Sequence, residues 1–289
     1  MTKMILSLAA ASARRLPASV KLALYRIRPL AGLIRRGLNR AAPKGLVPVT
    51  VAAGGLEGMH LQLDLQSEKD YWLGTYEPEL QAALLELVRP GMVVFDVGAN
   101  IGYISLLCLK SMRGTGRVFA FEALPANLER LRANLELNGL ADQVEIVAGA
   151  VIDRSQPVRF LVGPSGGMGK AEGSAGRQGI DYADTITMEG LSLDEFVYSA
   201  GNPAPQVVKL DIEGGEVLAL PGMLRLLNEA RPVVLLELHG PEAAHVAWTA
   251  LVKAGYQICR MAPGFPGVPS LEALDWKAYL VGLPGAGVD

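Results

Sequence analysis

Residues 93–102 read VVFDVGANIG, and this stretch restricts the fold more than any other. Four apolar residues, 92–95, run into Asp96. A glycine turn follows, and then YISLLCLK with helical character. That order is strand, tight turn, helix. Gly98 and Gly102 permit close backbone approach, and the start of the helix offers unpaired N–H groups to a polar ligand. Twenty-four residues after Gly98 a second short strand, VFAF, ends in Glu122. An acidic side chain there can accept both hydroxyls of a ribose. The pair predicts an α/β sheet with a nucleoside site.

The missing glycine decides which nucleoside. A dinucleotide site uses G-x-G-x-x-G, whose middle glycine makes room for a pyrophosphate. Here Asn100 holds the middle position and Tyr103 stands where the third glycine belongs. That turn suits a ligand with a ribose and no phosphate, such as S-adenosylmethionine (AdoMet). Its amino-acid end would meet the backbone near Gly98. The plain alternative is an α/β turn without a ligand.

Half of the 289 residues are apolar and 19% are charged, enough for a large core with appendages. Cys108 and Cys259, the two cysteines, lack metal-site spacing and read as reduced core residues. The net charge of −2 hides an asymmetry. Residues 1–44 carry ten Lys/Arg and no acid, which leaves 17 basic against 29 acidic residues in the rest. An acidic body argues against nucleic acid as a partner.

The chain divides into a basic helical arm (1–44), a small β extension (45–74) and a main domain (75–289). In the arm Val20, Leu24, Ile27, Ala31, Ile34 and Leu38 share a helical face. Lys21, Arg28, Arg35, Arg36 and Arg40 lie mostly away from it, and Pro29 must kink or split the helix. Such a helix can lie on an anionic membrane or pack on its own domain. No run is long enough to span a bilayer. MILSLAAASA with Ala11-Ser12-Ala13 faintly resembles a signal peptide. Lys3 is the only charge before it, and a cytosolic cofactor favours a cytoplasmic location, with peripheral contact at the inner membrane face as an option.

Within the main domain, TYEPELQAALLELV predicts a helix capped by Thr75 and ended by Pro90-Gly91. Strands are predicted at 92–97, 117–121, 144–151, 206–212 and 232–239, with helices starting near Ile101 and Pro125. A helix over 243–253, the strand YQICRM and WKAYLVGL complete the chain. Strands alternating with helices imply a mostly parallel sheet covered on both faces. The span 152–205 breaks this rhythm. Residues 163–179 hold seven glycines and read as a mobile loop on the ligand side, a lid or an insertion without a role. Leu191–Tyr198 reads as a short helix.

A second constellation lies in KLDIEGGE, with Lys209, Asp211, Glu213 and Glu216, and in ELH, with Glu237 and His239. Ligands of α/β sheets bind beyond the carboxyl ends of the strands. If these two strands are neighbours, a lysine, several carboxylates and a histidine converge beside the cofactor. Three readings stand. Asp211 or His239 is a general base for a substrate hydroxyl. Or Asp211, Glu213, Glu237 and His239 hold a divalent metal, the less favoured option. Or Lys209 and the carboxylates form structural ion pairs. His245 reads as a surface or packing residue, and His60 carries no signal.

YEPE at 76–79, DVGANIG at 96–102, FEALPAN at 121–127, LDEF at 193–196, KLDIEGGE at 209–216 and ELH at 237–239 together resemble the FkbM-type AdoMet-dependent methyltransferases. The similarity covers roughly residues 70–240 and leaves the arm outside. It implies a class I methyltransferase fold, with about seven mostly parallel strands and one antiparallel strand near the end. It implies O-methylation of a hydroxyl on a sugar, glycolipid or natural product. By that likeness Asp96, Gly98, Asn100 and Gly102 line the methionine end, Glu122 the ribose, and Ala150 lies near adenine. Asp211, His239, Glu213 and Lys209 stand as the catalytic set. The 163–179 loop exceeds the length the resemblance leads one to expect. The expected acceptor is thus a hydroxylated small molecule or a free or lipid-linked glycan, the last resting only on the basic arm. N-methylation, a nicotinamide oxidoreductase and a non-catalytic nucleoside-binding scaffold are the rivals. Oligomeric state lies beyond this reading.

Overall fold

The central sheet explains itself strand by strand. Val93–Val97 (β3), Arg117–Glu122 (β4) and Val144–Ala148 (β5) run parallel outward on one side, and Val207–Leu210 (β10) and Val233–His239 (β11) on the other. These buried strands are apolar on both faces. Val94, Val118, Ala120, Val207 and Leu235 point into one core. Phe95, Val97, Phe119, Phe121, Val208, Leu210, Val234 and Leu236 point into the other. Alternation along a strand produces this two-sided burial. Lys277–Pro284 (β13) runs antiparallel to β11, and Tyr256–Arg260 (β12) antiparallel to β13. Among the described residues the sheet thus has seven strands in the order β12-β13-β11-β10-β3-β4-β5. The expected mixed sheet with a late antiparallel strand is present.

The computed structural model describes residues 2–16, 20, 27–163, 168–176, 179, 181–182 and 184–285. Before the sheet come Thr2–Arg15 (α1), Arg28–Ala41 (α2), the hairpin Leu46–Thr50 (β1) with His60–Asp64 (β2), Lys69–Leu73 (α3) and Pro78–Leu87 (α4). Tyr103–Ser111 (α5) follows β3, and Pro125–Leu137 (α6) follows β4. Pro241–Lys253 (α9, after the short Glu216–Ala219, α7, and Leu224–Glu229, α8) packs on the other face.

Several details differ from the sequence expectation. Pro29, expected to kink or split the arm, lies in the first turn of a helix that opens at Arg28, in line with a split, because a missing N–H costs nothing there. Ala13 and Leu38 join the body's core, and Arg14 donates to the Ala52 carbonyl. Lys21 and Leu24 lie outside the described residues. Thr75 is not a cap: α4 starts at Pro78 behind Glu77, without a side-chain cap bond. The α5 helix starts at Tyr103, two residues after Ile101. The helix expected over 191–198 is a wide turn over Glu195–Ser199, closed by the Ala200 N–H on the Glu195 carbonyl.

The largest correction concerns the span after β5. Gly149 ends that strand, and Ala150–Val151 (β6) leaves for a second sheet. Gln156–Val162 (β7) pairs antiparallel with Asp184–Leu191 (β9), and Gly169–Ala171 (β8) flanks β7. The β unit therefore flanks the expected loop: among the described residues of 163–179 only Gly169–Ala171 is strand. Phe160 and Ala171 pack with Leu124, Ala150 and Ile152. Residues 164–167 and 177–178 of the glycine-rich stretch lie outside the described residues.

Candidate active site

The chain runs outward from β3 through β4 to β5 and returns at β10. The loops leaving β3 and β10 therefore part, and a cleft opens at their carboxyl ends. Gly98 begins the first of these loops at φ +77, and a Cβ there would lie 2.0 Å from the Asp211 carbonyl oxygen. Glycine is needed for this close crossing. Asn100 follows at φ 50, a left-handed conformation that asparagine tolerates. Its N–H donates to Glu122 Oε2 at 2.7 Å. Glu122 Oε1 accepts the Leu124 N–H at 2.8 Å and Asn127 Nδ2 at 3.2 Å. Burial raises the pKa of this carboxyl, against the pull of those hydrogen bonds. Oε2, with a single donor, keeps acceptor capacity on the cleft wall. Gly98, Asn100, Glu122, Gly149 and Ala150 all line this end, with Phe121, Leu124 and Val151 as its apolar surface.

Three residues from the expected site sit beneath the cleft. Asp96 is fully buried, accepts from Ser105 Oγ at 2.6 Å and lies 3.3 Å from Lys209 Nζ. Lys209 also donates to the carbonyls of Val97 at 3.0 Å and Gly98 at 2.7 Å. Burial works against its charge, but Asp96, Asp211 and Glu77 hold it above the usual lysine range. Gly102 caps α5 at φ +87 against Leu131. Asp96, Lys209 and Gly102 are not among the lining residues. They build the turn from below, so Asp96 and Gly102 were expected one layer too high. Lys209 matches the ion-pair reading.

The other end of the cleft is acidic and aromatic. Asp211, Glu213, Glu237 and Glu77 line it, with Tyr71, Tyr76 and Lys277. Burial pushes the Asp211 carboxyl up, Lys209 and His239 pull it down, and Glu237 and Glu213 push it up again; the result is about 7. His239 lies behind this wall, 3% exposed, with Nε2 at 3.0 Å from Glu237 Oε1 and Nδ1 at 3.8 Å from Glu216 Oε1. Burial alone would lower its pKa. The neighbouring Glu216 carboxylate, the bond to Glu237 and the charge of Glu213 outweigh that and raise it to about 10. Lys277 opens β13, opposite His239 in register, and ion-pairs with Glu237. Burial of Glu237 is outweighed by His239 and Lys277, which lower it to about 2.

Asp211, Glu237 and His239 could place one ligand atom each within 4.8 Å of one another, close enough to share a divalent cation. The donor set fits such an ion poorly. A metal ligand histidine must be neutral, whereas His239 is held protonated, and Lys277 already ion-pairs with Glu237 Oε1.

The β unit closes the cleft from above with Phe160, Met168, Gly169 and Ala171. The lid option for 163–179 falls on this roof at Met168, Gly169 and Ala171; Phe160, Tyr71 and Lys277 were not among the expected site residues, and Tyr76 and Glu77 were read only as part of the YEPE motif. The alternation of Val158, Phe160 and Val162 opposite Ile186 and Met188 was the available sign for the roof. His245 is exposed, as expected, and both cysteines are buried thiols.

This geometry can be set beside known proteins. The chain is 32% identical over 167 residues to the hexuronic acid methyltransferase AglP of Haloferax volcanii, covering 56% of this chain and 62% of that protein. It is 27% identical over 158 residues to the 2-O-methyltransferase NoeI of Sinorhizobium fredii, covering 50% of this chain and 63% of that one. It thus spans a little under two thirds of each relative. A crystal structure of a methyltransferase FkbM from Methylobacillus flagellatus superposes with a TM-score of 0.46 at 18% identity, over 75% of this chain and 53% of that one. The Methyltransferase FkbM domain matches residues 96–258, from the aspartate under the glycine turn to the penultimate strand of the sheet. With that match over more than half its length, the chain belongs to the FkbM methyltransferase family.

Proposed function

We propose that this protein is an AdoMet-dependent O-methyltransferase whose acceptor is a hydroxyl of a sugar or related polyhydroxyl compound. One observation carries the reading: a ribose-type anchor, Glu122, and a carboxyl with a pKa near neutrality, Asp211, line the same cleft. AdoMet when bound supplies an electrophilic methyl group on a sulfonium. Glu122 and the Gly98–Asn100 backbone would hold its ribose and amino-acid end, and Ala150, Val151 and Leu124 its base. Asp211 takes the acceptor's hydroxyl proton as the oxygen forms its bond to the methyl carbon; the electron pair of the breaking carbon–sulfur bond stays on sulfur. A base is most useful with a pKa near the working pH. Asp211 meets that condition, and a protonated His239 does not. His239 instead holds Glu237 in place beside Asp211.

The names of AglP and NoeI support oxygen on a sugar as the methylated atom. An amine acceptor is the milder alternative. Glu122→Gln keeps the shape of the side chain and removes its charge. It is expected to weaken AdoMet binding by about 1–3 kcal/mol, the scale of a lost charged hydrogen bond, read by calorimetric titration. Unchanged affinity would remove Glu122 as the ribose anchor.

Among the described residues no helix is long and apolar enough to cross a membrane. The arm still presents exposed Leu8 and Leu33 near Arg15, Arg36 and Arg40. We read it as a peripheral contact for an anionic membrane surface. Full-length protein should float with anionic liposomes at low salt, and a form lacking residues 1–44 should not. Equal flotation of the two would sink the idea.

A further inference from the structure

At the end of the cleft away from Glu122, the proton transfer at Asp211 leaves a group of side chains unused. Glu77 stands at φ 36, ψ 66, a conformation that a glutamate rarely adopts. The helix does not require it. Pro78 fixes the first turn by itself, and Glu77 makes no side-chain cap bond. Strain of this kind persists where the surroundings impose it, and it gathers at functional sites. The left-handed backbone places the Glu77 side chain on the cleft wall shared with Asp211.

Two further observations point to a ligand there. Glu77 Oε2 and Glu237 Oε2 have no hydrogen-bond partner, and Glu237 is only 5% exposed. Buried carboxyl oxygens without partners are costly unless a ligand satisfies them. Beside them Tyr71 and Tyr76 stack with ring centroids 4.2 Å apart, and both line the cleft. An aromatic surface next to unsatisfied acceptors matches a sugar, which offers apolar C–H faces and hydroxyl edges. The charge is also specific. Among the described residues no arginine lines the cleft, and the one lysine that does, Lys277, is tied to Glu237.

We propose that Glu77 is an acceptor-binding residue. With Asp211 it holds adjacent hydroxyls of a neutral diol lying against the Tyr71–Tyr76 pair, and the carboxylate-rich wall turns away acidic sugars. This deepens the methyltransferase reading and rests on it. Glu77 is pushed up to about 8, by burial first and by the charge of Asp211 second. Near neutrality it therefore carries a proton beside Asp211, so the pair can accept from one hydroxyl and donate to its neighbour. A uronate would bring its own charge against Asp211 and Glu213, Glu237 being balanced by Lys277 and His239. The expected acceptor thus differs in charge from the hexuronic acid in the name of AglP.

The test uses full-length protein loaded with S-adenosylhomocysteine. Binding of methyl glucopyranoside, methyl mannopyranoside and methyl glucuronoside is measured by ligand-detected NMR, and AdoMet binding by calorimetry in parallel. Both neutral glycosides should bind, with the glucuronoside about tenfold weaker or more, as like-charge repulsion at a desolvated site demands. Glu77→Ala removes both the donor and the acceptor and should lose about fivefold to tenfold for the neutral glycosides, the scale of a lost buried hydrogen bond, with AdoMet affinity unchanged. Glu77→Gly should lose them too while melting no lower than wild type, because glycine relieves the left-handed backbone. The proposal is overturned if the glucuronoside binds as well as the neutral sugars, if Glu77→Ala binds them like wild type, or if no glycoside binds. Absence of AdoMet binding would instead overturn the methyltransferase reading beneath it.

Discussion

Asp211→Asn is expected to lower methyl transfer by about 10²–10⁴-fold, the usual contribution of a positioned general base, with AdoMet affinity nearly unchanged. Asparagine keeps the shape and cannot take a proton. The loss should therefore fall on turnover more than on binding. The pH dependence gives an independent reading. A general base works deprotonated, so kcat/KM of the wild type should rise with pH and level off above about 7. Lys209 and His239 favour the ionised form of Asp211, while burial, Glu237 and Glu213 oppose it. In Asp211→Asn that rise should disappear. His239→Ala should act through Glu237, with a smaller loss and a shifted pH midpoint. Near-wild-type turnover in both variants would remove the general-base account.

Lys209→Met is expected to destabilise the protein by about 3–5 kcal/mol, because removing one partner of a buried ion pair strands the other. The stranded group is Asp96, which is fully buried and has only Ser105 as its other partner. Two carbonyls, of Val97 and Gly98, also lose their donor. For a chain of this size the melting temperature should fall by roughly 6–20 °C. The double variant Lys209→Met with Asp96→Asn should recover part of that loss, since no charge is then left unpaired. A melting temperature within a degree or two of wild type, with turnover abolished, would mean that Lys209 acts on substrate instead.

The sheet was legible because its strands are short apolar runs at regular intervals, with glycines and prolines between them. That Gly98, Asn100 and Glu122 share one end of the cleft was legible because they are spaced by local geometry: a strand, a turn and one crossover. The depth of a residue within that end was not. Asp96 and Asn100 lie four residues apart, yet only Asn100 reaches the cleft, and alternation along a strand cannot tell a buried ion pair from a ligand contact. The acceptor end was less legible still. Glu77 arrives from a loop before the first core strand, and Lys277 from the last strand, which inserts beside β11. No spacing in the chain connects residues 77, 211 and 277. The proposal of Asp211 over His239 draws on neighbours that no spacing connects: Glu216 and Glu237 lie around His239. The glycine count of 163–179 drew attention to a loop, and the alternation in the flanking strands carried the β roof.

The account rests on a nucleoside site shaped for AdoMet and not for a dinucleotide. Calorimetric titration of the full-length protein with AdoMet, beside NAD under the same conditions, tests this most directly. The account predicts one AdoMet per chain at roughly micromolar affinity and no heat of binding from NAD. A folded protein that binds NAD, or neither ligand, would contradict it.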